Sequence, residues 1–309
     1  MHQEREPAVV VDGLRKTYGE KVAVDEISLN VCEGEIFGIL GPNGAGKSTT
    51  VEAIAGLRVG DRGHIRVHGI DPWTDRAALT EVLGVQLQEA KLQQKITVQE
   101  ALELWSAFYP DPEPWAPLAE RLGLGAHLGQ RFEDLSGGQQ QRLSIALALI
   151  GRPRVVVLDE LTTGLDPRAR REVWDLVRDV RDRGVTVILV THSMEEAQTL
   201  CDRIAIVDAG RIRALDTPAG LIAAGTAATT TTFDTSAAID LVSLREIDGV
   251  TSAHSANGTI TVEGAEGVAL AVIEALRTQG VSPQRLRVAA GSLDSAYLDL
   301  TDTTQEITR

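Results

Sequence analysis

The segment GPNGAGKST at residues 41–49 constrains the fold of this chain more than any other. It follows an apolar run at residues 36–40 that reads as a buried strand, and it leads into a helical pattern at residues 47–57. Glycines between a strand and a helix let backbone N–H groups curl around phosphate oxygens, and the helix N-terminus adds positive potential. The match to G-x-x-x-x-G-K-S/T therefore predicts a nucleotide-phosphate loop. Its predicted contacts are Gly41, Pro42, Asn43, Gly44, Ala45, Gly46, Lys47, Ser48 and Thr49.

Two side chains of this phosphate loop have specific predicted roles. Lys47 should reach the β- and γ-phosphates, and Ser48 should bind Mg²⁺. The alternative reading is a chance glycine turn, but the strand, the loop and the helix are all in place.

Two acids end a second buried strand, in RVVVLDE at residues 154–160. Asp159 is suited to hold Mg²⁺ through water, as in other phosphate-loop ATPases. Glu160 is suited to orient the attacking water or to accept its proton. His192 follows the strand VTVILV, and ligands bind where parallel strands end. A lone histidine is more often structural, but this one could contact the γ-phosphate or steady the water beside Glu160.

Strands and helices alternate along most of the chain, which indicates a largely parallel sheet covered by helices. Residues 98–149 have a helical pattern that the proline cluster YPDPEPWAP interrupts. The composition becomes rich in Ala, Thr and Gly near residue 223, and the acidic tail predicts a small βαββαβ domain with strands at 229–233, 250–254, 258–262 and 285–289 and helices at 237–247 and 268–279. The predicted domains are therefore residues 1–224, with a helical subdomain at about 98–150, and residues 225–309.

Charge and composition exclude several classes of protein. The formal net charge of −14 argues against a nucleic-acid partner, since phosphate binding favours a basic face. The two cysteines cannot form a disulfide framework. The first residues have no apolar signal-peptide core, and no apolar run approaches the roughly 18 residues of a membrane-spanning helix. A cytosolic protein is expected, which would reach a membrane only through a partner.

Five motifs in order make residues 8–224 resemble the nucleotide-binding subunit of ATP-binding cassette (ABC) transporters: GPNGAGKST, LSGGQQQR, VVVLDE, TTGLDP and THS. The resemblance implies an α/β phosphate-loop ATPase core with an antiparallel β subdomain and a helical subdomain, beside the small α+β C-terminal domain. It implies ATP and Mg²⁺ as cofactors. It also implies a catalytic, Mg²⁺-binding hinge glutamine, for which Gln88 fits better than Gln86, because Gln86 would fall within a strand. Tyr18 matches the aromatic residue that stacks on adenine, although a surface tyrosine in a turn is the alternative.

The segment LSGGQ supplies a second anion site by the same physics as the phosphate loop. The resemblance implies that Ser136, Gly137, Gly138 and Gln139 face the nucleotide of a partner chain. One copy of each motif favours a C2 homodimer, although a related cassette subunit could take the partner's place. Asp166 would then run along the dimer seam. A separate transmembrane permease would hold the pair at the cytoplasmic face of the membrane.

Within the family, TTGLDPRARREVW and the closing SLDSAYLDLT are most similar to drug-resistance exporter ATPases of the daunorubicin type. Leu161 stands where the family usually has proline, which predicts a slightly less rigid loop with intact chemistry. The C-terminal domain would stabilise or regulate the dimer, or it is a solvated appendage.

The helix at residues 194–200 should pack with Glu195 and Glu196 in solvent. Two rival functions are a soluble ABC ATPase without a transport role and a nucleotide-gated regulatory module.

Overall fold

The computed structural model describes residues 7–87, 92–224, 229–235, 239–256, 258–264, 267–289 and 292–302. The chain divides into two compact units, Met1–Pro218 and Ala219–Arg309. Among the described residues, no helix combines the length and the apolarity needed to cross a bilayer.

The first unit alternates strands and helices. Its elements are β1 (Pro7–Tyr18), β2 (Lys21–Cys32), β3 (Ile36–Leu40), α1 (Lys47–Ile54), β4 (Arg62–Val67), α2 (Arg76–Val82), β5 (Leu83–Gln86), α3 (Val98–Ser106), α4 (Trp115–Arg121), α5 (Gly137–Leu149), β6 (Val155–Asp159), α6 (Pro167–Asp182), β7 (Thr186–Thr191), α7 (Met194–Leu200), β8 (Arg203–Asp208) and β9 (Arg211–Asp216). Helix α1 ends three residues before the predicted end at residue 57, and Gly56 follows it with a left-handed φ of 68°.

The central sheet has six strands in the order β5-β6-β7-β3-β8-β9. The first five of these strands are parallel to their neighbours, and β9 runs antiparallel to β8. Strands β3, β6 and β7 are buried along their whole length, as expected for parallel strands covered on both faces. Their C-terminal ends lie side by side at one edge of the sheet. The predicted parallel sheet is confirmed.

A second sheet of the first unit is antiparallel, with the order β2-β1-β4. Strands β1 and β2 form a hairpin in which Tyr18 pairs with Lys21 at the turn. Apolar side chains of this sheet, among them Val11 and Ile27, share one buried cluster with Phe37 and Ile39 of β3. The two sheets therefore pack on a common core, which places the hairpin beside the segment that follows β3.

The helical part of the first unit contains α3, α4 and α5, and the proline-rich segment separates α3 from α4. Two of these helices begin with a capping box. Thr97 and Glu100 form the box at α3, and Ser136 and Gln139 form the box at α5. In each box the hydroxyl accepts a backbone N–H three residues on, and the N3 side chain accepts the N–H of the cap residue.

Helix α8 (Pro218–Ala224) begins at the last residue of the first unit. The elements that follow it in the second unit are β10 (Thr229–Asp234), α9 (Leu241–Arg245), β11 (Val250–Ala256), β12 (Thr259–Gly264), α10 (Val268–Thr278), β13 (Gln284–Ala289) and α11 (Leu293–Asp302). Its sheet is antiparallel in the order β11-β12-β10-β13. The predicted βαββαβ order from β10 to β13 is confirmed. The first helix is shorter than the predicted 237–247, because the Asp240 side chain accepts the N–H of Val242 and caps the helix there.

Candidate active site

A pocket of about 340 Å³ lies at the edge where the parallel strands end. It brings together the phosphate loop after β3, the hairpin between β1 and β2, and the segment after β6. Its lining residues are Tyr18, Lys21, Ala23, Asn43, Gly44, Gly46, Lys47, Ser48, Thr49 and Glu160. The sequence predicted most of these residues separately as binding or catalytic groups, and the fold places them around one cavity.

The phosphate loop requires glycine at two positions where other backbone approaches closely. A Cβ atom at Gly41 would lie 2.0 Å from the carbonyl oxygen of Val207. Gly46 has a φ of 105°, and a Cβ there would lie 2.4 Å from the carbonyl oxygen of Ala23. Any side chain at these positions would displace the loop from β2 or β8, since glycine alone tolerates both the contact and the backbone angle.

The ammonium of Lys47 is buried beneath its own loop. Its Nζ atom donates to the carbonyl oxygens of Gly41 at 2.7 Å and Pro42 at 3.0 Å. Burial lowers the pKa of Lys47 below its ordinary value, while the nearby carboxylates of Glu160 and Asp159 oppose that shift. A positive charge therefore lies under the loop, close enough to Glu160 and Asp159 to interact with both.

The last residue of β6, Asp159, is buried, and its backbone N–H donates to the Oε1 atom of Gln86 at 3.0 Å. Gln86 is itself buried and lies in β5, the strand parallel to β6, as predicted. Its amide therefore supports the backbone of an acid in the site, a contact that sequence patterns do not reveal. Gln88, the preferred hinge glutamine, lies outside the described residues.

Glu160 and His192 meet after two adjacent strands. The Oε1 atom of Glu160 lies 3.2 Å from the Nδ1 atom of His192. Glu160 has a φ of 50°, and its N–H donates to the carbonyl oxygen of Val190 at 2.9 Å. A left-handed φ is uncommon for glutamate and costs conformational energy. The following residue, Leu161, is buried.

The signature segment, Ser136, Gly137, Gly138 and Gln139, lies at the N-terminus of α5. Ser136 and Gly137 are exposed. A Cβ on Gly137 would approach Leu165 to 3.2 Å, and one on Gly138 would approach Ala169 to 3.4 Å, so this backbone packs closely on the start of α6. None of the four residues lines the pocket around Lys47.

Comparisons with known proteins identify the family. A family model described as "ABC transporter" matches residues 24–163. Nod factor export ATP-binding protein I of Paraburkholderia xenovorans (strain LB400) is 41% identical over 224 residues, which cover 71% of this chain and 73% of that protein. Daunorubicin resistance ATP-binding protein DrrA3 of Streptomyces coeruleorubidus is 37% identical over an alignment 316 positions long, which covers 95% of this chain and 96% of that protein.

The chain belongs to the ABC transporter family. It is an ATP-binding subunit of that family, whose members hydrolyse ATP to drive transport. Among solved structures, the dimeric post-hydrolysis state of the ATP-binding cassette MJ0796 bound to ADP and Pi has a TM-score of 0.59 and 29% identity, over 68% of this chain and 98% of that one. We call the first unit, Met1–Pro218, the cassette.

Asp166 of the cassette is the N-cap of α6. Its carboxylate accepts the backbone N–H groups of Ala169 at 3.1 Å and Arg168 at 2.9 Å. These hydrogen bonds hold the pKa of Asp166 below its ordinary value. Whatever it contacts in an assembly, the residue also starts the helix on which the signature segment packs.

The prediction that Glu196 faces solvent is wrong. Glu196 is 1% exposed, and its Oε1 atom accepts hydrogen bonds from Thr162 Oγ1 at 2.8 Å and from Trp174 Nε1 at 3.0 Å. The short helix α7 turns this carboxylate inward, whereas Glu195 remains exposed and pairs with Arg170. Glu196 thereby ties the loop after Glu160 to α6, a link that becomes visible only when three distant segments are assembled.

Replacing Glu196 with alanine should lower the free energy of unfolding of the cassette by about 2 to 4 kcal/mol, because two buried donors lose their acceptor. Glu196→Gln should cost less, since an amide oxygen can still accept both bonds. All four tryptophans lie in the cassette, so tryptophan fluorescence during urea denaturation follows its unfolding. Glu195→Ala is the matched control and should stay within about 0.5 kcal/mol of the wild type. Equal losses for Glu195→Ala and Glu196→Ala would contradict the assigned link.

Proposed function

We propose that this chain is the ATP-hydrolysing subunit of an exporter and drives a separate transmembrane permease from the cytoplasmic face of the membrane. The names of its relatives support export: one serves Nod factor export, and another confers daunorubicin resistance. The second relative aligns with 95% of this chain, so the likeness extends into the second unit. For that unit we propose a role in stabilising or regulating the dimer.

One observation carries the proposal for the chemistry. The phosphate loop, its buried Lys47 and the contacting pair Glu160–His192 converge at one edge of the central sheet. A phosphate-binding loop alone would support binding only. Because a carboxylate that lines the pocket also contacts a histidine, the arrangement is suited to hydrolysis. The contact between Glu160 and His192 also argues against a regulatory module in which hydrolysis is incidental.

For ATP binding, we assign the adenine to Tyr18 and the phosphates to the backbone N–H groups of the loop. The pocket provides space between them, since Tyr18 and the phosphate loop both line it. Lys47 would exchange the carbonyl oxygens of Gly41 and Pro42 for the oxygens of the β- and γ-phosphates. Burial, which lowers the pKa of Lys47, leaves this ammonium poorly solvated, and phosphate charge stabilises it more than neutral carbonyl oxygens do.

The residues present also suit Mg²⁺. Ser48 lines the pocket beside Glu160, and Asp159 ends β6 at the same edge. Mg²⁺ prefers oxygen ligands, keeps several waters and usually takes few protein carboxylates together with substrate phosphates. We assign Ser48, Asp159 and Gln88 to it. When bound, the ion would neutralise phosphate charge during hydrolysis.

Glu160 is the proposed base. The Glu160 side chain is 9% exposed and lines the pocket. It can therefore accept a proton from a water molecule placed against the γ-phosphate. His192 lies 3.2 Å from that carboxylate and is about half exposed, so it can orient Glu160 and also contact the γ-phosphate.

We further propose that two chains complete each other's sites in a C2 homodimer. The signature segment presents an exposed serine and a helix N-terminus, yet it lies outside the pocket around Lys47. Because the signature segment lies outside the nucleotide pocket of its own chain, we propose that it binds the nucleotide in the pocket of the partner chain. Asp166, at the start of the helix beneath the signature, would then lie along the seam between the chains.

Purification from membranes tests the transport role. A tagged chain expressed in its own host and extracted with mild detergent should copurify with a membrane-spanning protein that has no phosphate loop of its own. The tag fused to an unrelated cytosolic protein is the control. A chain that hydrolyses ATP but never enriches with a membrane protein would point to an ABC ATPase outside transport.

A further inference from the structure

The end of the hairpin that carries Tyr18 is held by one carboxylate from a different part of the cassette. Asp61 lies between α1 and β4, and its Oδ1 atom accepts Lys16 Nζ at 2.8 Å. Its Oδ2 atom accepts the N–H of Thr17 at 2.7 Å and the Thr17 hydroxyl at 2.6 Å. The Asp61 N–H in turn donates to the carbonyl oxygen of Arg15 at 2.8 Å. Both residues immediately before Tyr18 are therefore anchored to Asp61.

A second contact reaches the aromatic ring itself. The guanidinium carbon of Arg58 lies 5.2 Å from the ring centroid of Tyr18, within the range of a cation–π interaction. The Nε atom of Arg58 donates to Glu52 Oε2 at 2.5 Å. Glu52 belongs to α1, the helix that begins at Lys47. The ring is thus linked through Arg58 to the helix that starts in the phosphate loop.

Both contacts come from the short segment that leaves α1. This segment is itself ordered, because Leu57 and Arg58 donate their N–H groups to the carbonyl oxygen of Glu52. Tyr18 is 41% exposed at a hairpin turn, where an aromatic side chain would otherwise sample several rotamers. Holding the ring in one orientation before binding reduces the entropy lost when a base stacks on it.

We propose that Arg58 and Asp61 are positioning residues that set the Tyr18 ring for stacking on the adenine base. The inference rests on the proposed role of Tyr18 in ATP binding. Arg58 contacts the ring directly, Asp61 anchors the two residues before it, and neither lines the phosphate pocket. We therefore expect the two residues to contribute to the binding of the adenine base and not to the binding of the phosphates.

Calorimetric titration of the full-length chain with ATP and with inorganic tripolyphosphate separates these two parts of the ligand. Arg58→Met should weaken ATP binding by about 2- to 5-fold, the usual range for an exposed cation–π contact. Asp61→Asn should weaken ATP binding by about 2- to 10-fold, because the hairpin becomes more flexible and loses more conformational entropy when ATP binds. Tyr18→Ala should weaken it by about 5-fold or more. Affinity for tripolyphosphate should stay within about twofold throughout.

The controls use a matched pair outside this network. Arg66 Nη1 donates to Asp71 Oδ2 at 2.6 Å, and Asp71 Oδ1 accepts the N–H of Trp73 at 3.0 Å. Arg66→Met and Asp71→Asn therefore remove the same groups from a similar turn, and they should leave ATP affinity unchanged.

Double variants decide whether the two residues act through Tyr18. Added to Tyr18→Ala, neither Arg58→Met nor Asp61→Asn should weaken ATP binding further, because the ring through which they act is gone. A full additional loss in that background, or an equal loss for tripolyphosphate, would overturn the positioning role. Unchanged ATP affinity in Tyr18→Ala alone would instead remove the adenine assignment itself. An effect of Tyr18→Ala without any effect of Arg58→Met or Asp61→Asn would overturn only the further inference.

Discussion

Replacing Glu160 with glutamine is expected to lower the rate of ATP hydrolysis by about 100-fold or more, the usual contribution of a general base. ATP binding should be retained, and the variant should accumulate as an ATP-bound dimer. Glutamine has the same shape and keeps an oxygen that can accept from His192, so the 3.2 Å contact can persist. What it loses is the ability to take a proton. Turnover in a coupled phosphate-release assay and dimer formation by size-exclusion chromatography with ATP measure the two effects.

Glu195→Gln is the matched control for this experiment. Glu195 lies on α7, close to His192 in the chain, but it is exposed and pairs with Arg170. The same change of charge there should leave turnover near that of the wild type. If Glu160→Gln also hydrolysed ATP at the wild-type rate, Glu160 would not be the base, and water would have to be activated by another group.

In mixed dimers that carry Lys47→Ala and Ser136→Ala, we expect ATP binding and turnover to depend strongly on whether the two changes lie on the same chain or on opposite chains. Lys47→Ala should abolish ATP binding at its own phosphate loop, because the only buried ammonium in the pocket lining is removed. Ser136→Ala should spare ATP binding by a single chain but depress hydrolysis. Both effects follow from an ATP site shared between one chain's loop and its partner's signature.

The proposed homodimer predicts different results for the two arrangements. With the changes on opposite chains, one composite site has both defects and the other is intact. With both changes on one chain, each composite site has one defect. The first dimer should therefore retain one ATP and part of its turnover, and the second should lose nearly all turnover. Dimers isolated with two different tags allow bound ATP and phosphate release to be measured for each.

A structural effect of Ser136 must be separated from its role toward a partner. Ser136 caps α5, and loss of such a cap costs about 1 kcal/mol of stability. Thr97 forms the same capping box at α3, so Thr97→Ala removes an equivalent cap elsewhere. This control should leave turnover largely unchanged. The opposite result, with activity retained when both changes lie on one chain, would show that the signature and the phosphate loop of the same chain form one site.

Local patterns allowed much of the fold to be predicted. The phosphate loop, the buried strand before Asp159 and the amphipathic helices are contiguous in sequence, and their residues have few conformations that satisfy both backbone hydrogen bonds and burial. The alternation of strands and helices then predicted the parallel sheet that the structure contains. The ends of elements were less predictable: Gly56 follows the early end of α1, and the capping side chain of Asp240 sets the start of α9.

Residues that act between segments were not predictable in the same way. Gln86, in the sequence only the weaker hinge candidate, supports Asp159 across two strands, and Glu196, predicted to face solvent, joins Thr162 and Trp174. Asp61 anchors residues more than forty positions earlier in the chain. Each contact depends on how separate elements pack, and one sequence without that packing contains no signal for it.

Sequence patterns alone predicted the functional groups of this protein: a phosphate loop, two acids at a strand end, a histidine after a neighbouring strand and the signature segment at a helix start. Those parts are encoded locally, because glycine placement, strand burial and helix capping each involve a few adjacent residues. The folded structure was needed to show that Lys47 lies buried against its own loop, that Glu160 contacts His192, and that Arg58 contacts the Tyr18 ring while Asp61 anchors its hairpin. Strand order and core packing bring these distant residues together, and both arise only when the whole core forms.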